Sequence, residues 1–230
     1  MRLLITGFEP FGGDSVNASG VVVERLASAW TRGGEPRVAG VDLVTAVLPV
    51  EFIGAARVLA LAIAEARPDA VLCLGEAGGR SAVTPERWAG RTALGRIPDN
   101  AGFAPHNEPL DGDADLLASR LDVDAMVAAI RAAGVASHAS GDAGRFVCNA
   151  TFRALLRDHD VPGGFIHVPA VRDTGVALVG GETDDAAGER LDPSLDFDDL
   201  VDAVCAVVDL LAAGRPAAAS EDLGEEVPRS

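Results

Sequence analysis

Short apolar runs alternate along the chain with longer segments whose apolar residues recur at helical spacing. Leu3 to Thr6 is the first apolar run and predicts a buried strand, ended by the turn-rich Gly7-Phe8-Glu9-Pro10-Phe11-Gly12-Gly13. Val22, Val23, Leu26 and Trp30 then share one face of a predicted helix that Asn17 or Ser19 can cap. A second strand is expected within Arg37 to Leu48, stopped by Pro49. The alanine-rich stretch Glu51 to Arg67 reads as a helix closed by Pro68, and Ala70 to Leu74 as a short central strand. Farther on, Asp122 to Ala133, Cys148 to Asp158 and Asp196 to Ala213 predict helices. Val135 to Ala139 predicts a short strand, and Gly164 to Val168 a strand running into Pro169. Between Arg87 and Asp115 the pattern dissolves into turn chemistry, and so irregular a stretch inside a compact domain is usually functional or an interface element.

This alternation predicts one α/β domain over residues 1–213, with a largely parallel twisted sheet covered by helices on both faces. Residues 214–230 are acidic and low in apolar content, which predicts a flexible tail.

Composition narrows the chemistry. The 230 residues are 48% hydrophobic and 23% charged, as in ordinary globular proteins. A formal net charge of -16 argues against nucleic acid or an anionic membrane as partner. All 19 basic residues are arginine, which excludes a Schiff-base lysine, a P-loop lysine and a lysine general base. Cys73, Cys148 and Cys205 have no metal-like spacing, so neither a disulfide framework nor a metal site is expected, and a reducing cytoplasmic compartment is. The opening MRLLITGFEPFGG has too short an apolar run for a signal peptide, and no run is long enough to span a bilayer.

Cys148 precedes a helical segment, where the positive end of the helix dipole favours thiolate over thiol; the alternative is a small buried hydrophobe. Cys73 and Cys205, inside apolar runs, read as core. A nucleophilic cysteine needs a base, and His167 lies near the carboxyl end of an apolar strand, where α/β sheets bind ligands, although a lone histidine in such a strand is more often a satisfied core residue. His106, His138 and His159 read as surface residues. An orienting acid is also required, and Glu86 stands out only by its apolar flanks. Thr6 to Gly13 and Gly75 to Arg80 are glycine-rich turns after strands. Neither has a nucleotide-binding signature, because the first lacks the spacing and the second carries Glu76. Phe8 and Phe11 are either the apolar walls of a small-ligand site or ordinary core.

Taken together, six blocks resemble the pyroglutamyl peptidase I (pyrrolidone-carboxylate peptidase) family of cysteine peptidases, from about Thr6 to the last helix. They are Thr6 to Gly13 with Asn17; Ala77-Gly78-Gly79-Arg80; Thr84-Pro85-Glu86-Arg87; Arg96-Ile97-Pro98-Asp99-Asn100; Phe146-Val147-Cys148-Asn149; and Gly164 to Pro169. The resemblance implies an open three-layer α/β/α sandwich, no cofactor, a cytosolic location and a homotetramer. It implies a triad of Cys148, His167 and Glu86, with Arg96 near the reacting carbonyl. Phe8, Phe11 and Phe146 match an apolar pocket for the pyrrolidone ring, close to Asn17, and the implied substrate is a small peptide with a blocked N-terminus.

Four places depart from the family pattern. Glu76 stands where the family has glutamine, so that its carboxylate repels the substrate, or leaves binding to the backbone, or selects another lactam. The family's asparagine after Glu-Arg-x-Ala-x is absent from the run Glu86-Arg87-Trp88-Ala89-Gly90-Arg91, and Thr92 to Gly95 and the polar stretch Gly180 to Arg190 also differ. These departures keep two other readings open: a ligand-binding protein without catalysis on the same fold, and a hydrolase of a related cyclic amide.

Overall fold

The computed structural model describes residues 1–32, 35–172 and 195–214. Strand β1 (Arg2–Phe8) is followed by helix α1 (Ala18–Ala29), a small antiparallel pair β2 (Thr31–Arg32) and β3 (Glu35–Pro36), β4 (Asp42–Leu48), α2 (Gly54–Ala66) and β5 (Ala70–Ala77). Next come five short strands, β6 (Thr84–Pro85), β7 (Trp88–Gly90), β8 (Thr92–Leu94), β9 (His106–Pro109) and β10 (Leu116–Ala118). Helices α3 (Val123–Ala132) and α4 (Val147–Asp158), strand β11 (Gly163–Pro169) and helix α5 (Phe197–Ala213) complete the order.

The main sheet runs β4-β1-β5-β11-β6; its first four strands are parallel and β6 joins the edge antiparallel. Because successive strand residues point to opposite faces, the sheet feeds two cores. Leu3, Ile5, Leu72, Leu74, Ile166 and Val168 pack with α1, α3 and α5, while Leu4, Val71, Cys73 and Phe165 pack with α2 and α4. Each fully buried Leu, Ile or Phe contributes roughly 1.5–3 kcal/mol. Cys73 and Cys205 belong to these cores. The result is the three-layer α/β/α arrangement expected.

Local chemistry sets the element ends. Asn17 caps α1, its Oδ1 accepting from the backbone N–H of Ser19, and Asp196 with Asp199 forms a capping box at α5. Glycine at position 7 lets α1 approach β1, since a Cβ there would stand 2.4 Å from the carbonyl oxygen of Ser19. Two expectations need correction. Val135 to Ala139 forms no strand; only single bridges tie Ser137 to Val83 and Ser140 to Glu86, because this segment runs beside a two-residue edge strand too short to sustain a ladder. The irregular region from Arg87 holds two small antiparallel sheets, β10 with β7 and β8 with β9. Residues 215–230 and Gly180 to Arg190 lie outside the described residues.

Candidate active site

His167 sits in β11 beside Gly75 of β5, near the carboxyl ends of the parallel strands. Its ring packs on that of Phe165, with centroids 4.9 Å apart, and it is almost fully buried. Glu86 follows β6 directly, and its backbone N–H donates to the carbonyl of Phe165 at 2.9 Å. The sheet therefore delivers the acid to the histidine: Nδ1 of His167 lies 2.7 Å from Oε1 of a Glu86 that is wholly buried. The Arg80 guanidinium also donates to Oε1, at 2.5 Å. With Arg80 as counter-ion Glu86 is the acceptor, so Nδ1 carries the proton and Nε2 keeps the lone pair. Burial pushes the His167 pKa below its ordinary value, against the opposing pull of Glu86.

Cys148 is the second residue of α4, and its sulfur lies over Gly75, the residue paired with His167; a Cβ on Gly75 would stand 2.8 Å from Sγ. Cys148 and His167 line one cavity of about 400 Å³. The surroundings oppose the pull of the helix end toward thiolate. Burial, reinforced by the negative charge of Glu86, pushes the Cys148 thiol up to about 12, so it rests neutral. The helix position instead leaves backbone N–H groups of the first turn beside the sulfur, available to a developing anion.

Phe8, Phe11, Asn17, Glu76, Arg96 and Phe146 all line this cavity. Phe146 packs on Phe11 and on Phe52, each at 5.1 Å between centroids, which builds an aromatic wall. Asn17 lines the cavity while its side chain braces the scaffold, donating to the carbonyl of Glu9 and capping α1. Glu76 is not a bare charge: Arg172 grips its carboxylate bidentately at 2.7 and 2.9 Å, and the N–H of Ala18 donates to it at 2.6 Å. Arg96 is exposed at the rim. Among the described residues no three His, Cys, Asp or Glu side chains gather so as to hold a metal ion. No described helix is long and apolar enough to cross a membrane.

Sequence reasoning missed Arg80 and Arg172 as parts of this site. Both were visible as arginines near glycine-rich or strand-end residues, but arginine is the only cation here and so carried no signal. It also missed how Gly90 is held. Asn149, next to the cysteine, pairs with both the N–H and the carbonyl of Gly90, so the contact does not need a side chain at position 90. The turn at Asp99 and Asn100 is sewn to the cavity wall: Asp99 accepts from the N–H of Phe52, and Asn100 donates to Glu9 and Pro10.

Comparison with known proteins bears on the same features. The pyroglutamyl peptidase family matches residues 1–213. A pyrrolidone-carboxylate peptidase of Levilactobacillus brevis is 44% identical over 200 residues, covering 82% of this chain and 93% of the relative. One from Thermococcus onnurineus is 38% identical, covering 75% of this chain and 86% of the relative. Among solved structures, pyroglutamyl peptidase I from Bacillus amyloliquefaciens superposes with a TM-score of 0.76 at 34% identity, covering 93% of this chain and 95% of that one. With its three-layer fold and a cavity lined by a cysteine and by a histidine that a buried glutamate backs, the chain belongs to the pyroglutamyl peptidase family.

Proposed function

We propose that the chain removes an N-terminal pyroglutamyl residue from peptides, with Cys148 as nucleophile, His167 as general base and acid, and Glu86 as the group that orients His167. The observation that carries this reading is the meeting at one cavity of a cysteine at a helix N-terminus and a buried His–Glu pair.

Nε2 of His167 takes the proton of Cys148 as sulfur attacks the acyl carbon, so that charge separates only when substrate is present. First-turn amides of α4 and Arg96 receive the oxyanion; one such donor is worth about 2.7–4 kcal/mol. His167 protonates the departing amine, leaving a thioester. Water, deprotonated by His167, then opens the thioester, and the proton returns to sulfur with release of pyroglutamate.

Selectivity comes from the wall of Phe8, Phe11 and Phe146. A lactam nitrogen is uncharged and enters it readily, whereas a free N-terminal ammonium loses hydration there without a partner. Glu76, its carboxylate occupied by Arg172 and Ala18, acts on substrate through its backbone. The proposal includes a cytoplasmic location, in keeping with three free thiols, and the homotetramer that the family resemblance implies.

Hydrolysis of a fluorogenic pyroglutamyl amide by the wild type and by Cys148→Ala, under reducing conditions, tests the reaction. Turnover by the wild type alone supports it, and equal turnover by both overturns the nucleophile. Silence from both, with turnover of another lactam amide, moves the substrate to a related cyclic amide. Light scattering on the purified protein reads the oligomer.

A further inference from the structure

The turn from Ala77 to Arg80, closed by the Arg80 N–H donating to the carbonyl of Ala77, folds Arg80 back beneath the histidine–glutamate pair. Its side chain is 5% exposed. Of its terminal nitrogens, one donates to Oε1 of Glu86 and to the hydroxyl of Thr84, whose own hydroxyl donates to the carbonyl of His167. The other donates to the carbonyl of Asp142 at 2.8 Å and lies 3.3 Å from the hydroxyl of Ser140. Arg80 thus bonds to β6 and to Glu86 directly and reaches His167 through the Thr84 hydroxyl, and it lines the cavity itself.

Glu86 has little else to balance its charge. It is completely buried, and its second oxygen, Oε2, has no hydrogen-bond partner among the described residues. Its bonded oxygen, Oε1, is shared between Nδ1 of His167 and the Arg80 guanidinium, so Arg80 fixes where that oxygen points. We propose that Arg80 is a positioning residue of the reaction: it aims Oε1 of Glu86 at Nδ1, and so holds His167 in the tautomer whose Nε2 can accept a proton from Cys148. This rests on the catalytic roles given above and extends them to a residue that touches neither sulfur nor the reacting carbonyl.

The electrostatic surroundings give the sign of the effect. His167 is faced by Glu86, Arg80, Asp142 and Cys148, and Cys148 by Glu86, Arg80, Glu76 and Cys73, while Arg96 and Arg145 line the same cavity. Arg80 opposes proton binding at both His167 and Cys148. Without it the His167 imidazole keeps its additional proton up to higher pH. The acid limb of activity therefore moves to higher pH.

The test compares wild type, Arg80→Gln and Arg80→Lys by kcat/KM against pH on the fluorogenic pyroglutamyl amide. The rate of iodoacetamide labelling of Cys148 against pH, read by mass spectrometry, is a second readout that needs no turnover. Arg80→Gln is expected to lose about 100-fold in kcat/KM near neutrality, to shift the acid limb of kcat/KM upward and to slow the labelling of Cys148. Arg80→Lys, which keeps the charge, is expected to restore the limb and part of the rate. A merely structural residue would lower the rate equally at every pH with its limb unmoved, and that result overturns the proposal. If Cys148 labels with the expected slowing in Arg80→Gln but the wild type hydrolyses nothing, the substrate reading fails and the positioning role stands. Nitrogen-15 spectra of the wild-type histidines cover the case in which the variants do not fold. A resting His167 protonated at Nδ1 supports the proposal, and one protonated only at Nε2 overturns it.

Discussion

Gly75 lies directly beneath the sulfur of Cys148, and a methyl group there would come within 2.8 Å of both Sγ and the ring of Phe165. The nucleophile rests on bare backbone, one strand position across from His167. Gly75→Ala must therefore displace the sulfur or the ring. Because a misplacement of about 1 Å costs on the order of 100-fold in rate, kcat/KM is expected to fall by about that factor, with far-UV circular dichroism preserved. Unchanged kinetics would mean that the sulfur works from another position.

The neutral resting state of the cysteine and histidine has a pH signature. Burial holds the His167 pKa below 6.5, so activity should persist below that pH and fall only as the imidazole finally charges. Labelling of Cys148 by iodoacetamide in the absence of substrate should keep rising through pH 9, because its thiol is pushed up to about 12. A labelling plateau below pH 7 would instead reveal a preformed thiolate.

Glu76 and Arg172 are expected to behave as one unit. Arg172→Met leaves a carboxylate facing the cavity without its bidentate partner and should lower kcat/KM about 10-fold. Pairing it with Glu76→Gln removes the stranded charge and should recover most of that loss. A double-mutant cycle measures the coupling, and additive effects would mean that the two residues act independently.

Away from the cavity, Arg153 is the largest wholly buried side chain, and it grips Asp111 through two bonds of 2.6 Å. Arg153→Met leaves Arg157, at 3.1 Å, as the cation on Asp111, and the expected loss in denaturant unfolding is about 1–3 kcal/mol. Arg153 also holds the Asp111 carboxyl down to about 2, from an ordinary 3.8. A depressed carboxyl stabilises the fold above its unfolded pKa, so this contribution should be complete above pH 4 and drain away as pH falls toward 2.

Much of this was legible in the sequence because the cores repeat with the periods of strand and helix. Leu3 and Ile5 face one core, Leu4 the other, and Val22, Val23 and Leu26 form one helical stripe. Cys148, His167 and Glu86 were each readable as site or as core from their own surroundings, and the family resemblance singled them out. What escaped was the pairing of arginines with acids: Arg80 meets Glu86 only because the intervening turn folds back, and Arg172, just beyond β11, meets Glu76 of the adjacent strand from 96 residues away. Likewise the thiolate expectation followed from the helix end alone, while the burial that opposes it comes from β5 and the cavity wall.

The acid and the base are also parts of the main sheet. Glu86 hangs from Phe165 by a main-chain hydrogen bond, and His167 lies two residues farther along the same strand. β11 is an interior strand of the sheet, and interior strands open only when the whole molecule does. Heat should therefore switch the enzyme off in a single step coincident with global melting, rather than through an earlier softening of the site, which would make residual activity a direct gauge of how much protein remains folded.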